Sequence, residues 1–250
     1  QWLGLEGAPR TINLAYHQPF ENSHLGIGAN LLRDEIGPTS TTFAAVDISY
    51  TIALANESRL AFGVKAGGEL FNIDNQKLKS FNPADPFLQQ NLQNQFSPNI
   101  GVGLYYYNDK SYLGLSVPRL LETRFYDALA YSETKRKQHF YLVGGKVFDL
   151  SYNLKFKPAF VTKVVAGAPL QVDLTTNFLY NERFTVGLAY RWSAALSALV
   201  GFKVNDRLSI GYGYDRETTR LSNFNSGSHE LFLQFDLFKN NQIVETTRFF

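Results

Sequence analysis

Residues 183–214, RFTVGLAYRWSAALSALVGFKVNDRLSIGYGY, alternate apolar with small or polar side chains almost without interruption. Phe184, Val186, Leu188, Tyr190 and Trp192 are separated by Thr185, Gly187, Ala189 and Arg191. Leu196, Ala198, Val200, Phe202 and Val204 alternate with Ser197, Leu199, Gly201 and Lys203, and Leu208, Ile210, Tyr212 and Tyr214 with Ser209, Gly211 and Gly213. A period of two belongs to β-strands, whose successive side chains point to opposite faces. Each run is about 10 residues, the length at which a tilted strand crosses a bilayer. A soluble sandwich would set the apolar face against a second sheet. Here the pattern fills nearly the whole chain, which favours a closed barrel with lipid outside and a polar lumen.

Thirteen strand-like segments can be drawn, at residues 10–20, 23–33, 42–54, 59–72, 98–107, 111–118, 138–149, 153–164, 169–181, 183–192, 195–204, 207–216 and 229–238. Their alternation turns Ile12, Leu14, Tyr16, Val46, Ile48, Tyr50, Phe62, Val64, Val102, Leu104, Leu174, Leu231 and Leu233 outward. Every second connection is a tight turn rich in Asn, Asp or Ser, as at 21–23, 55–58, 108–109, 151–153, 181–182 and 205–206. Such residues tolerate turn backbone angles and bond to their own main chain. The intervening connections, 34–41, 74–97, 119–137, 166–169 and 217–228, are longer or marked by Gly and Pro. Short turns at one end and long loops at the other are the asymmetry of an outer-membrane barrel, with the short turns in the periplasm. By that count the chain ends in the periplasm.

Bacterial single-chain barrels use even strand numbers. A fourteenth strand is therefore expected at or before the N-terminus, with Gln1-Trp2-Leu3 as its tail. The expected architecture is a transmembrane antiparallel up-and-down β-barrel of about 14 strands, one domain over residues 1–250.

Composition narrows the function. A mean hydropathy of −0.19 and no apolar run of spanning length speak against membrane helices. Aromatic residues, 15% of the chain, suit rings held at bilayer interfaces. A formal charge of +2 and no basic run give no reason to expect nucleic acid. Without cysteine there is no disulfide, thiolate site or cysteine nucleophile. His17, His24, His139 and His229 have no metal-ligand spacing. The triplets Gly26–Gly28, Gly101–Gly103 and Gly211–Gly213 fall in strands at period two, as inward small residues rather than phosphate loops. Ser228 and His229 are adjacent, so a strand points them to opposite faces. No enzyme and no cofactor or metal is expected.

Several blocks carry a resemblance. The opening QWLGLEGAP (1–9), DEIGP (34–38), SPNIGVGLYYYNDKSYLGLSVPRLLE (97–122), FDLSYNLKFKPAF (148–160), GAPLQVDL (167–174), GYGYD (211–215) and NSGSHE (225–230) stand in order and spacing. Together they resemble the PorP/SprF family of type IX secretion membrane proteins. The resemblance implies a non-enzymatic outer-membrane barrel of a Gram-negative bacterium. It further implies a part in export or surface retention of large proteins, gliding adhesins among them, that carry a C-terminal targeting domain. Periplasmic type IX secretion components are implied as further partners, beside the outer-membrane lipids. Family members carry an upstream block absent from this sequence.

Two sets of side chains stand out. Lumen positions carry both signs: Lys65, Lys155, Lys157, Lys163, Arg191 and Lys203 against Asp47, Glu69, Asp173, Asp215, Glu230 and Asp236. A selective pore lines its constriction with one sign, whereas mixed charges in a confined space pair; a narrow or occluded lumen is expected. The long loops are the expected partner-binding surface. Residues 74–97 hold Phe81, Asp85 and Phe87, and residues 119–137 hold Arg119, Arg124, Phe125, Tyr126, Tyr131 and Arg136. Aromatic residues beside Arg are typical of interface hot spots. The same loops are equally suited to fold over the mouth and plug it. The alternative to a secretion barrel is a small-solute porin or uptake channel, which would have to conduct freely.

Overall fold

The computed structural model describes residues 1–20, 23–77, 92–121 and 137–237. Fourteen strands form one antiparallel sheet. They are β1 (Arg10–Pro19), β2 (Leu25–Ile36), β3 (Thr39–Ala53), β4 (Arg59–Ile73), β5 (Leu92–Tyr107), β6 (Ser111–Val117), β7 (His139–Lys146) and β8 (Phe148–Ser151), then β9 (Leu154–Val165), β10 (Gln171–Tyr180), β11 (Phe184–Arg191), β12 (Ala195–Lys203), β13 (Leu208–Glu217) and β14 (Ser228–Phe235). Each strand pairs with the next in sequence, except that β7 and β8 both lie against β9. The two are one strand interrupted at Val147, whose N–H turns aside to Lys110 O at 2.7 Å.

The all-β class and the fourteen strand segments agree with the sequence. Residues 1–9 are turns and extended chain with no strand, so Gln1-Trp2-Leu3 is not a strand tail. Leu3 spends its main-chain hydrogen bonds on Ser226 and Gly227, in the loop before β14, instead. The expected 34–41 loop is largely strand, and the expected 74–97 loop is strand over its last six residues. β2 and β3 continue through 34–41 to a two-residue turn at Gly37 and Pro38, with Gly37 at φ 54°. β5 begins at Leu92, inside the expected 74–97 loop. Residues 93–95 near its start are polar on both faces, so alternation could not reveal them.

Register explains the two faces. Val46 lies opposite Ala29 and Ala66, and Leu188 opposite Thr176 and Ala198, on a face whose large side chains stay exposed. Leu14, Leu188 and Leu231 are 69%, 62% and 73% exposed. The buried hydrophobic residues among those described are only Phe43, Ala45, Val117, Val147 and Ala195. A sheet this poor in core and this rich in exposed apolar surface needs a covering, and lipid supplies one. No helix among the described residues is long and apolar enough to cross a membrane.

Glycines let aromatic rings lie flat against the wall. Phe232 stands opposite Gly211, Tyr105 opposite Gly114, Tyr112 opposite Gly145 and Phe160 opposite Gly144. A Cβ on Gly211 would fall 1.8 Å from the Phe232 ring, and one on Gly144 would fall 2.7 Å from Phe160. A ring over a cross-strand glycine pins register while covering bare backbone.

β1 and β14 end the sheet and are not paired with each other. Twelve antiparallel steps along the thirteen-strand path give both the same direction, so joining them directly would make a parallel pair. At the end where β1 begins, residues 1–9 bridge the two. The Gln1 ammonium donates to Pro9 O at 2.7 Å, Leu3 N donates to Gly227 O at 2.9 Å, and Ser226 N donates to Leu3 O at 2.8 Å.

Candidate functional site

The face opposite the apolar one carries the chemistry. Its residues include Gly28, Asp47, Lys65 and Gly101 in one cross-strand row, and Phe43, Glu69 and Ser97 in another. Asp47 and Lys65 are direct neighbours on β3 and β4, with Nζ 2.8 Å from Oδ1. Asp173 and Arg191 face each other on β10 and β11 at 2.9 Å, and Gln171 Nε2 adds a 3.2 Å bond to Asp173 Oδ2. Adjacent strands place such pairs side by side, so opposite charges meet without any loop movement.

The other inner charges lie toward the short-turn end or elsewhere along the inner wall. Lys155 reaches Glu182 at 3.8 Å and Lys203 reaches Asp206 at 3.9 Å, both carboxylates sitting in turns. Lys157 is buried opposite Asn177, and Lys163 stands opposite Tyr141 and Gln171. Asp215 lies between Ser197 and Ser228, and Glu230 is exposed opposite Gly213. Asp236 follows β14, its N–H bound to Arg207 O at 2.8 Å.

Arg119, expected in a partner-binding loop, turns inward. β6 has 7 residues against 16 in β5, so β5 outlasts its neighbour at the long-loop end. There Pro118 folds over Gly101: a Cβ on that glycine would sit 2.6 Å from Pro118 O. Asn99 Nδ2 donates to Pro118 O at 2.8 Å, and Leu120 N donates to Ile100 O at 2.8 Å. The guanidinium of Arg119 crosses to β4, with Nη2 3.3 Å from Glu69 Oε2, and lies 5.4 Å from the centre of the Phe43 ring. Gln138 Nε2 closes the strap from its other side by donating to Leu120 O at 2.8 Å. Phe43, Ala45, Glu69, Ser97 and Asn99 on this part of the inner wall are all buried. Proline after a strand and glycine opposite it were visible in sequence; that Arg119 pairs with Glu69 was not.

A second polar cluster joins residues 1–9 to the β13–β14 connection. Trp2 Nε1 donates to Glu217 Oε1 at 3.3 Å, and Trp2 N donates to Ser228 Oγ at 3.2 Å. Asn225 is buried; it donates to Leu221 O at 2.7 Å and accepts from Gly227 N at 2.8 Å. Gly227 holds φ 91°, and a Cβ there would meet Asp215 O at 2.6 Å. Gly37 N donates to Gly7 O at 2.9 Å, tying in the β2–β3 turn. Phe81, Asp85, Phe87, Arg124, Phe125, Tyr126, Tyr131 and Arg136 lie outside the described residues, as does the tail 238–250.

No curated protein matches the chain in sequence. The family model described as type IX secretion system membrane protein PorP/SprF matches residues 1–235, which takes in every strand of the sheet. With strands of membrane-crossing length and an apolar outer face, the chain belongs to the PorP/SprF family and is a type IX secretion-associated protein of the outer membrane.

Proposed function

We propose that the protein is a non-enzymatic barrel that binds, anchors or helps export large surface proteins carrying a C-terminal targeting domain. One observation carries this reading: three of the blocks that resemble the family, QWLGLEGAP, DEIGP and NSGSHE, are bonded together at one end of the sheet. QWLGLEGAP packs on NSGSHE through Leu3, Ser226 and Gly227, and on DEIGP through Gly7 and Gly37. The end of the central block, at Pro118 and Arg119, and the 166–170 connection belong to the same end. Short turns take the opposite end, which is assigned to the periplasm together with the C-terminus. Cargo is held at the cell-surface end by the long loops, while periplasmic components of the machinery meet the short turns.

The paired inner charges favour this over a porin. Asp47–Lys65 and Asp173–Arg191 cancel across neighbouring strands and Glu69–Arg119 across β5, instead of lining a path with one sign. The test is removal of residues 122–136 from the native gene, with surface-retained cargo measured on whole cells. Loss of cargo from the surface with barrel abundance unchanged is the expected result. Full retention would remove that loop from the docking role.

A further inference from the structure

We propose that the outward face of β1 to β4 holds one phosphorylated lipid of the cell-surface leaflet, its phosphate on Arg10 and Arg33 and an acyl chain in the groove below them. The inference goes beyond cargo retention and rests on the assignment of the long-loop end to the cell surface. Along β11 to β13 the outward positions are mostly large, as at Val186, Leu188, Val200 and Tyr212. On β2 to β4 they include Ala29, Ala44 and Ala66, which register sets side by side. Ala29 and Ala66 both oppose Val46, and Ala44 opposes Leu31 and Gly68. The result is a groove of about 460 Å³, floored by the three alanines and walled by Leu14, Tyr16 and Leu31.

The wall changes character just above the groove. Toward the long-loop end the next outward row is Ile12, Arg33, Thr42 and Leu70, and the one after it is Arg10, Glu35, Ser40 and Asn72. Arg33 follows Leu31 by two residues on the same face of β2. Arg10 stands diagonal to it on β1, about 7–8 Å away along the wall and within reach of the same anion. Both guanidiniums thus sit where the apolar band gives way to polar side chains, the depth at which a lipid carries its head group. Glu35 engages one of them: its Oε1 accepts from Nε and Nη2 of Arg33, both at 2.8 Å, yet the Arg33 side chain stays 58% exposed. Arg10 is exposed and makes no ion pair among the described residues. Two cations against one carboxylate leave positive charge at the end of the groove, and a guanidinium suits the geometry of a phosphate. An apolar groove that ends in such charge matches a hydrocarbon tail with an anionic head, which selects a phosphorylated lipid over a second copy of this apolar wall.

The experiment is native mass spectrometry of the purified full chain released from detergent micelles, after incubation with monophosphorylated lipid A or with the same lipid stripped of its phosphate. Heat-modifiable migration on gels confirms a folded barrel for each variant. The phosphorylated form is expected to stay bound several-fold more than the stripped one. Arg10→Gln and Arg33→Gln should each lower the bound fraction several-fold. Arg216→Gln, on the same rim but on β13, should leave it unchanged. Ala44→Leu fills the groove with both arginines in place and should also lower it; Ala44→Val takes its place if leucine prevents folding. Equal retention of the two lipid forms, retention that both arginine variants keep, or an equal loss in Arg216→Gln would overturn the head-group site. Unchanged retention by a folded groove-filling variant would overturn the acyl groove. Preference for phosphatidylglycerol over lipid A would overturn the site together with the cell-surface assignment of this rim.

Discussion

The indole of Trp2 donates to Glu217 on β13 at 3.3 Å, so the first residues of the sequence are bonded to the far end of the sheet. With Leu3 bound to Ser226 and Gly227, this contact bridges the gap between β1 and β14 at the loop end. Trp2→Phe keeps the ring and deletes the donor. It is expected to cost about 1 kcal/mol, read as a lower midpoint in denaturant titrations of the detergent-solubilised protein. An unchanged midpoint would mean that the bond adds nothing to the bridge.

The ion pairs should differ in strength according to burial. Asp173 and Arg191 have side chains 19% and 41% exposed, and solvent screens such a pair to about 1 kcal/mol or less. Removing Arg119 from the buried Glu69 should cost more, because a pair with a 4% exposed carboxylate is little screened by solvent. Double-mutant cycles on the two pairs check the contrast. Equal coupling energies would contradict it.

Glycine at 211 is set by the ring that covers it. Gly211→Ala brings a methyl group to within 1.8 Å of where Phe232 now lies, so the ring must swing away. The expected cost is about 1–3 kcal/mol. Adding Phe232→Ala to Gly211→Ala should then cost less than Phe232→Ala costs in the wild type. Strict additivity of the two substitutions would show that ring and glycine do not interact.

Leu188 is 62% exposed near the middle of β11, and its neighbour Ala189 belongs to the opposite face. If lipid covers the Leu188 face, Leu188→Arg should cost about 2–4 kcal/mol, as a cation at the bilayer midplane does on barrel walls. Ala189→Arg, directed inward beside Ser197, should cost clearly less. Refolding yields and denaturant midpoints in lipid vesicles measure both. Equal tolerance at the two sites would contradict the assignment of faces.

Much of the architecture was legible because alternation reports directly on which side chains share a face. The runs around Val186, Val200 and Tyr212 lie in β11, β12 and β13, joined by tight turns. Legibility ended where both faces become polar, as at Gln93 to Gln95, because two-sided polarity erases the period although the backbone still pairs. The inner set was readable as a list of charges, but its partnerships depend on register. Asp47 meets Lys65 only because the turn at 54–58 fixes that alignment. Arg119 followed a strand and a proline and therefore read as loop. Its inward path depends on how far β5 outlasts β6, which residue types alone do not encode.

The central claim, a secretion barrel that holds a surface protein, is tested most directly by affinity purification of this protein from native outer membranes in mild detergent, with co-purifying chains identified by mass. The account predicts a stoichiometric large exported protein with a C-terminal targeting domain. Recovery of the barrel alone, or only as copies of itself, would contradict the claim.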